Sequence, residues 1–219
     1  MVTLEDIQKS PVINTFIRKG NEHLGAMGYT DHGKLHITLV SRLSRSILLQ
    51  LGYDARTADL AGIAGYMHDL GNVVNRNGHS QSGALMALEI LQAMRMHPDE
   101  IAIIIAAIGN HDEGSGLPVN PVAAALILAD KSHVHRNRVR NIDVATFDIH
   151  DRVNYAVEHS FLLIEAEKNL ISMELTIDTG ICPVMEYFEI FLSRMLMCRR
   201  AANYLGCEFA LIINGAKLL

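Results

Sequence analysis

ARTADLAGIAGYMHDLG, residues Ala55 to Gly71, ends in the adjacent pair His68-Asp69. The run reads as a helix. Asp54 stands where its carboxylate can cap the N-terminus, Gly71 stands where a left-handed residue can close the C-terminus, and no proline interrupts. Ala58, Ala61, Gly65 and His68 recur at spacings of three and four, so they share one face that is almost free of bulk. A neighbouring helix backbone can approach such a face closely, which puts His68 and Asp69 at the buried end of a bundle helix. An imidazole followed at once by a carboxylate suits a divalent cation, because the carboxylate can bridge two ions while the imidazole holds one. Alone, the pair is a weak signal and reads more readily as a histidine at a helix C-terminus beside a solvated aspartate.

The flanking segments supply the company that changes this reading. Upstream, Leu4 to Met27 is apolar at Ile7, Val12, Ile13, Phe16, Ile17 and Leu24, a roughly helical period with Pro11 near the start of the main helix. HGKLHITLVSRLSRSILLQLG then opens a helix whose stripe is Leu39, Val40, Leu43, Ile47, Leu48 and Leu51, with His36 at its N-terminal end. Downstream, a polar loop from Asn72 to Gly78 leads to a helix opened by His79. Pro98 or Asp99 starts an apolar helix that delivers His111 at its C-terminal end. Asp112 to Gly116 is a loop by composition, and Pro121 begins a helix carrying Asp130 in its middle, with His133 and His135 further along it. No segment here alternates with period two, so the expectation for residues 1–145 is an all-helical bundle.

Beyond residue 145 the pattern changes. SFLLIEA (160–166) and LISMELTID (170–178) read as strands joined by a turn at Glu167-Lys168-Asn169, the second alternating cleanly in polarity. Pro183 to Leu205 carries a helical stripe from Val184 to Leu205, Gly206 ends it, and CEFALIING is a third strand. The expected fold class is therefore mainly α: a helical domain over 1–145 and a small α+β (ββαβ) subdomain over 146–219, packed on the bundle or paired across a homodimer.

Composition excludes several function classes. Of 219 residues, 49% are hydrophobic and 20% charged, with a formal net charge of −5; a pI near 6.1 gives no electrostatic basis for binding a nucleic acid duplex. The three cysteines, Cys182, Cys198 and Cys207, have no paired spacing and fit structural thiols in a reducing compartment. The start MVTLEDIQKSP has no apolar signal core and the longest apolar run, Ile101 to Ile108, is too short for a bilayer, so a cytoplasmic protein with no membrane partner is expected. Of the 11 histidines, His23, His97, His150 and His159 read as ordinary surface or core residues.

In chain order the remaining ligands are His36, His68, Asp69, His79, His111 and Asp130. Four imidazoles and two carboxylates suit two divalent transition ions. The expected partition gives His36, His68, Asp69 and Asp130 to the first ion, with Asp69, the catalytic centre of the arrangement, bridging to a second held by His79 and His111. Fe or Mn heads the choice of metal, with Zn, Ni or Mg as the remaining candidates. His32, four residues before His36, is a weaker ligand candidate because Gly33 intervenes.

The ordered pattern H…HD…H…H…D, carried by HITLV, AGIAGYMHDLG, HSQSGA, IGNHDEGSGLP and ILAD, resembles the HD-domain superfamily of metal-dependent phosphohydrolases over about residues 30–140, and its two extra histidines resemble the binuclear branch. The resemblance implies a helical fold and attack of a metal-bound hydroxide on phosphorus. The expected function is thus phosphomonoesterase or phosphodiesterase action on a small phosphorylated metabolite or nucleotide. A di-iron oxygenase on the same scaffold, or a non-catalytic sensor or dimerisation module, is the alternative. The HD-GYP members of that branch carry a lysine where this chain has Asn72, and their second histidine and GYP signature are here reduced to His111-Asp112 and Gly116-Leu117-Pro118. Cyclic di-GMP and a third metal are therefore not expected. Asn72, Arg76, Lys131 and His133 are the expected substrate contacts, Lys131 first among the cations that include Arg136 and Arg138.

Overall fold

A computed structural model describes residues 1–219. Nine α-helices precede or interleave with one small sheet: α1 Leu4–Lys9, α2 Pro11–Ala26, α3 Lys34–Gln50, α4 Ala55–Met67, α5 His79–Ala93, α6 Pro98–Gly109, α7 Pro121–Lys131, α8 Ile149–Ala156 and α9 Val184–Tyr204. The expected first helix is two. Ser10 interrupts it in extended conformation, ends α1 and caps α2 by accepting from the Ile13 amide, with Pro11 seated at the first turn where its missing N–H costs nothing.

The small face of α4 does what its composition predicts. A Cβ added to Gly65 would lie 2.9 Å from the Ser41 Cα of α3, and the Ser41 hydroxyl donates to the Gly62 carbonyl at 2.7 Å. Backbone therefore meets backbone. Asp54 caps α4 by accepting from the amides of Arg56 and Thr57. The helix stops at Met67, earlier than expected, and a 3-10 turn over Leu70–Val73 follows Asp69. Gly71 is not a left-handed terminator. It lies inside that 3-10 turn, where a Cβ would collide with the carbonyl oxygen of His79, so its role is close packing of the turn against α5.

Helix α7 lies at the centre, and Val122 to Ala129 are all buried, as its uniformly apolar sequence requires. It packs against α3, α4, α6 and α9. It ends at Lys131, so Asp130 sits in its last turn rather than its middle, and His133 and His135 lie beyond it instead of on it. Short 3-10 turns at Arg136–Arg138 and Val144–Thr146 then lead to α8, a helix that the sequence pattern does not announce.

The sheet has order β1-β2-β3-β4, with β1 Val157–Glu165, β2 Leu170–Ile177, β3 Glu208–Ile213 and β4 Ala216–Lys217. β1 and β2 form the expected hairpin, whose turn residue Asn169 adopts a left-handed conformation at φ 49°. β2 and β3 run parallel, joined by α9, and β4 is an additional edge hairpin. One apolar cluster runs continuously from Ile7 in α1 through α7 to Leu211 in β3, so the sheet and the bundle share a core.

Candidate metal centre

Each of the six expected ligands comes from the end of an element or the turn beside it, and the fold gathers all six. His36 lies in the first turn of α3, His68 directly follows α4, His79 opens α5, His111 lies two residues beyond α6 and Asp130 is in the last turn of α7. The four imidazoles are at most 3% exposed. Three share one device. His68, His79 and His111 each donate from Nδ1 to the carbonyl three residues upstream, of Gly65 at 2.9 Å, Arg76 at 2.9 Å and Ile108 at 2.6 Å. A carbonyl only accepts, so the proton is fixed on Nδ1 and the Nε2 lone pair is free to face the site. His36 differs: its Nδ1 lies 2.8 Å from Nδ1 of His133, with the two rings stacked at 10°.

The carboxylates divide the space between these rings. Oδ2 of Asp69 is 3.3 Å from Nε2 of His68 and 3.8 Å from Nε2 of His36, while its Oδ1 is 3.5 Å from Nε2 of His79. Asp130 presents Oδ1 to His36 at 3.3 Å and to His68 at 3.7 Å. Nε2 of His79 and of His111 stand 3.1 Å apart. Two triads can each hold a cation, His36/His68/Asp130 and His68/Asp69/His111, with ligand atoms all within 4.8 Å of one another. His68 thus belongs to both, where the sequence had placed it with the first ion alone.

The residues fit a bound metal on their own chemistry. Nε2 of His36, Nε2 of His68 and Oδ2 of Asp69 are buried with no hydrogen-bond partner, an arrangement that is costly in a packed interior unless a cation completes it. Burial holds His36 down to about 4, and it lowers His79 and His111 too, so these rings stay neutral and able to ligate. At Asp69 and Asp130 burial acts upward, but the neighbouring His68 at the first and the Lys131 ammonium at the second outweigh it and keep both well below the ordinary carboxylate range. Four of the six, Asp69, His79, His111 and Asp130, wall a niche of about 10 Å³ together with His32 and the cations Arg76, Lys131, Arg138 and Arg194, room for roughly one water-sized group.

The expected substrate contacts separate into two sets. Arg76 and Asn72 flank the site: Nη1 of Arg76 is 3.9 Å from Oδ1 of Asp69 and donates weakly to Oδ1 of Asn72 at 3.4 Å. Lys131 and His133 do other things. Lys131 lines the niche but is buried rather than solvated; its Nζ lies between Oδ2 of Asp130 at 2.8 Å and Oε2 of Glu113 at 2.6 Å. His133 sits behind His36, away from the niche. His32 lines the niche edge-on to His36 and is tied by Nδ1 to the Thr30 carbonyl at 2.8 Å.

Two residues escaped the sequence reading. Glu113, in the loop after His111, accepts from Nε of Arg194 at 2.7 Å, so a chain of alternating charge runs Asp130, Lys131, Glu113, Arg194. Arg194 comes from α9, and its guanidinium stacks 4.3 Å above the Phe191 ring. A signal existed: Arg194 falls three residues after Phe191 and four before Cys198, inside the buried stripe, where a charged residue needs a partner. The niche shares His32, Arg76, Arg138 and Arg194 with a polar cavity of about 420 Å³ whose apolar lining is confined to Met27, Tyr29 and Phe191.

Comparison with known proteins agrees with this architecture. Residues 35–137 match the model of the HD domain. An uncharacterized protein of Methanocaldococcus jannaschii, MJ1020, is 28% identical over 207 residues, spanning 83% of this chain and 79% of that one. No helix is long and apolar enough to cross a membrane.

Proposed function

The chain contains an HD domain at residues 35–137, and from that premise we propose that it is a metal-dependent phosphohydrolase with a binuclear centre, acting on a small phosphorylated metabolite or nucleotide. The observation that carries the reading is the split carboxylate of Asp69. Its Oδ2 faces His36 and His68 and its Oδ1 faces His79, so one side chain addresses two ligand sets at once. His36, His68 and Asp130 would hold one ion, and His79 and His111 the other, with Asp69 between them and His68 within reach of both. Bound divalent ions, Fe or Mn before Zn, Ni or Mg, would lower the pKa of water and stabilise charge on phosphoryl oxygens.

The chain's own groups complete the chemistry. Arg76 stands beside Oδ1 of Asp69 and lines the niche, placed to orient a phosphoryl oxygen by a charge-assisted hydrogen bond. Lys131 holds Oδ2 of Asp130, leaving Oδ1 directed at His36 and His68. The carbonyl-anchored imidazoles cannot turn without losing a buried hydrogen bond, so the ligand atoms are pre-positioned.

Elemental analysis of the purified protein, alongside a His79→Ala/His111→Ala double variant, tests this. Two transition ions per chain falling to one, with turnover in a phosphoester screen, is the expected result. One ion in both proteins removes the second site, and no ion in either after loading with Mn or Fe removes the enzyme reading.

A further inference from the structure

Arg138 is a buried cation without a counter-ion. It is 5% exposed, its Nε donates to the Asp31 carbonyl at 3.0 Å and its Nη1 to the His133 carbonyl at 2.8 Å. Both partners are neutral, and Nη2 has no partner within the protein. Every other arginine either lies within 4.0 Å of a carboxylate or, as at Arg42, Arg95, Arg199 and Arg200, is exposed. Burial holds the guanidinium down to about 10, still fully charged at neutral pH. A buried charge is strongly unfavourable unless something pairs it.

Its place in the fold indicates what does. Arg138 lies on the wall shared by the niche at the ligand cluster and the cavity of about 420 Å³. On the same wall, Arg76 is balanced by Asp69 and Arg194 by Glu113. One positive charge is therefore left over, beside rather than within the ligand set. The lining of the same cavity also carries Asp148, the N-cap of α8, with Asp151 and the buried Asn154 within that helix, groups that accept hydrogen bonds from hydroxyl or amino substituents. The volume suits a molecule of nucleotide or sugar-phosphate size.

We propose that Arg138, with Arg194 beside it, is the subsite for a second phosphate group of the substrate, which makes the substrate class a small, hydroxyl-bearing molecule with two phosphate groups. The identity of the reacting group rests on the phosphohydrolase reading; the anion subsite does not. A guanidinium fixed by two backbone carbonyls presents its remaining N–H groups in one direction, the arrangement that recognises a phosphate edge.

The test starts with chelator-treated, metal-free full-length protein and inorganic phosphate. Calorimetry is expected to show one phosphate per wild-type chain, binding weakened at least about tenfold in Arg138→Met, the loss of a charge-assisted contact, and largely retained in Arg138→Lys. No binding by the wild type, or equal binding by Arg138→Met, overturns the subsite. Crystals of the wild type grown in phosphate decide the point without a variant: the anion is expected at Nη2 of Arg138, and an anion elsewhere overturns it. With metal-loaded enzyme, Arg138→Met should raise KM for a sugar bisphosphate and leave KM for 4-nitrophenyl phosphate unchanged. An equal rise for both overturns the assignment of a second group. A loaded enzyme that hydrolyses neither ester sinks the hydrolase reading, and phosphate binding then decides the subsite alone.

Discussion

Nδ1 of His36 lies 2.8 Å from Nδ1 of His133. One nitrogen must donate and the other accept, so the tautomer of a candidate metal ligand is set by a second imidazole rather than by a carbonyl. His133 itself is pushed down to about 2 by burial and by Arg138, and so stays neutral. His133→Ala is expected to lower metal affinity about 10- to 100-fold, the usual cost of removing an outer partner of a ligating histidine. Competition against a metal-sensitive dye would read the change. An affinity equal to wild type, at unchanged melting temperature, would show that His36 is oriented by packing alone.

The close approach at Gly71 makes a sharper demand on stability. A methyl there meets the His79 carbonyl and the Gly83 amide, both backbone, and neither can swing aside. Gly71→Ala is expected to destabilise by about 1–3 kcal/mol, the range for overpacking, and to displace His79 with the start of α5. Thermal melts combined with metal stoichiometry check both effects. Gly65→Ala, pressed on Ser41, should lower the melting temperature in the same way.

Glu113 links stability to acid pH. Burial raises its carboxyl, but Lys131 and Arg194 outweigh burial and hold it far below the usual carboxylate range. A folded-state value below the unfolded one gives stability that is fully present above about pH 4.3 and is lost as pH falls through the folded value. Wild type should therefore weaken progressively in denaturant melts taken below about pH 4.3. Glu113→Gln, which leaves Lys131 and Arg194 short of an anion, should be about 3–5 kcal/mol less stable at pH 7, with a flatter decline on acidification. Equal acid slopes in the two proteins would remove Glu113 from the account.

The thiols offer an independent check on the core. Cys182 and Cys198 are buried, and burial pushes them up to about 11 and about 12, so neither presents a thiolate near neutrality. Iodoacetamide at pH 8 should leave both unmodified in the native protein and label both in denaturant. Rapid native labelling of Cys198 would mean that α9 leaves α7 far more readily than their shared packing implies.

Periodicity and small-residue spacing made the bundle legible. The Ala58-Ala61-Gly65 face announced a close helix contact, and the alternation of Ile171 to Ile177 announced a half-buried strand. That the six candidate ligands would gather at one place was legible because His and Asp types in that order have few other joint uses. What the sequence hid were relations between distant segments. Lys131 reads as the first substrate cation because its partner Glu113 belongs to another loop, and His133 reads as pocket-lining because the apolar pattern gives no sign that the helix stops at Lys131. Helix α8 is short, with only Val153, Asn154 and Ala156 buried, too few positions for a period to show. Local rules predict a left-handed turn at Gly71, whereas the reason for the glycine lies in α5, across the turn.

The alternating charges from Asp130 to Arg194 also bear on what can be transplanted. The stretch matching the HD domain ends at residue 137, yet Arg138 is the next residue and Arg194 lies in α9, far along the chain. A graft of residues 35–137 onto another scaffold would bring every ligand but leave Glu113 half-neutralised and Lys131 pulled off balance between two acids. The inheritable unit is therefore larger than the recognisable one: the part that names the family depends for its electrical neutrality on a helix that the name does not cover.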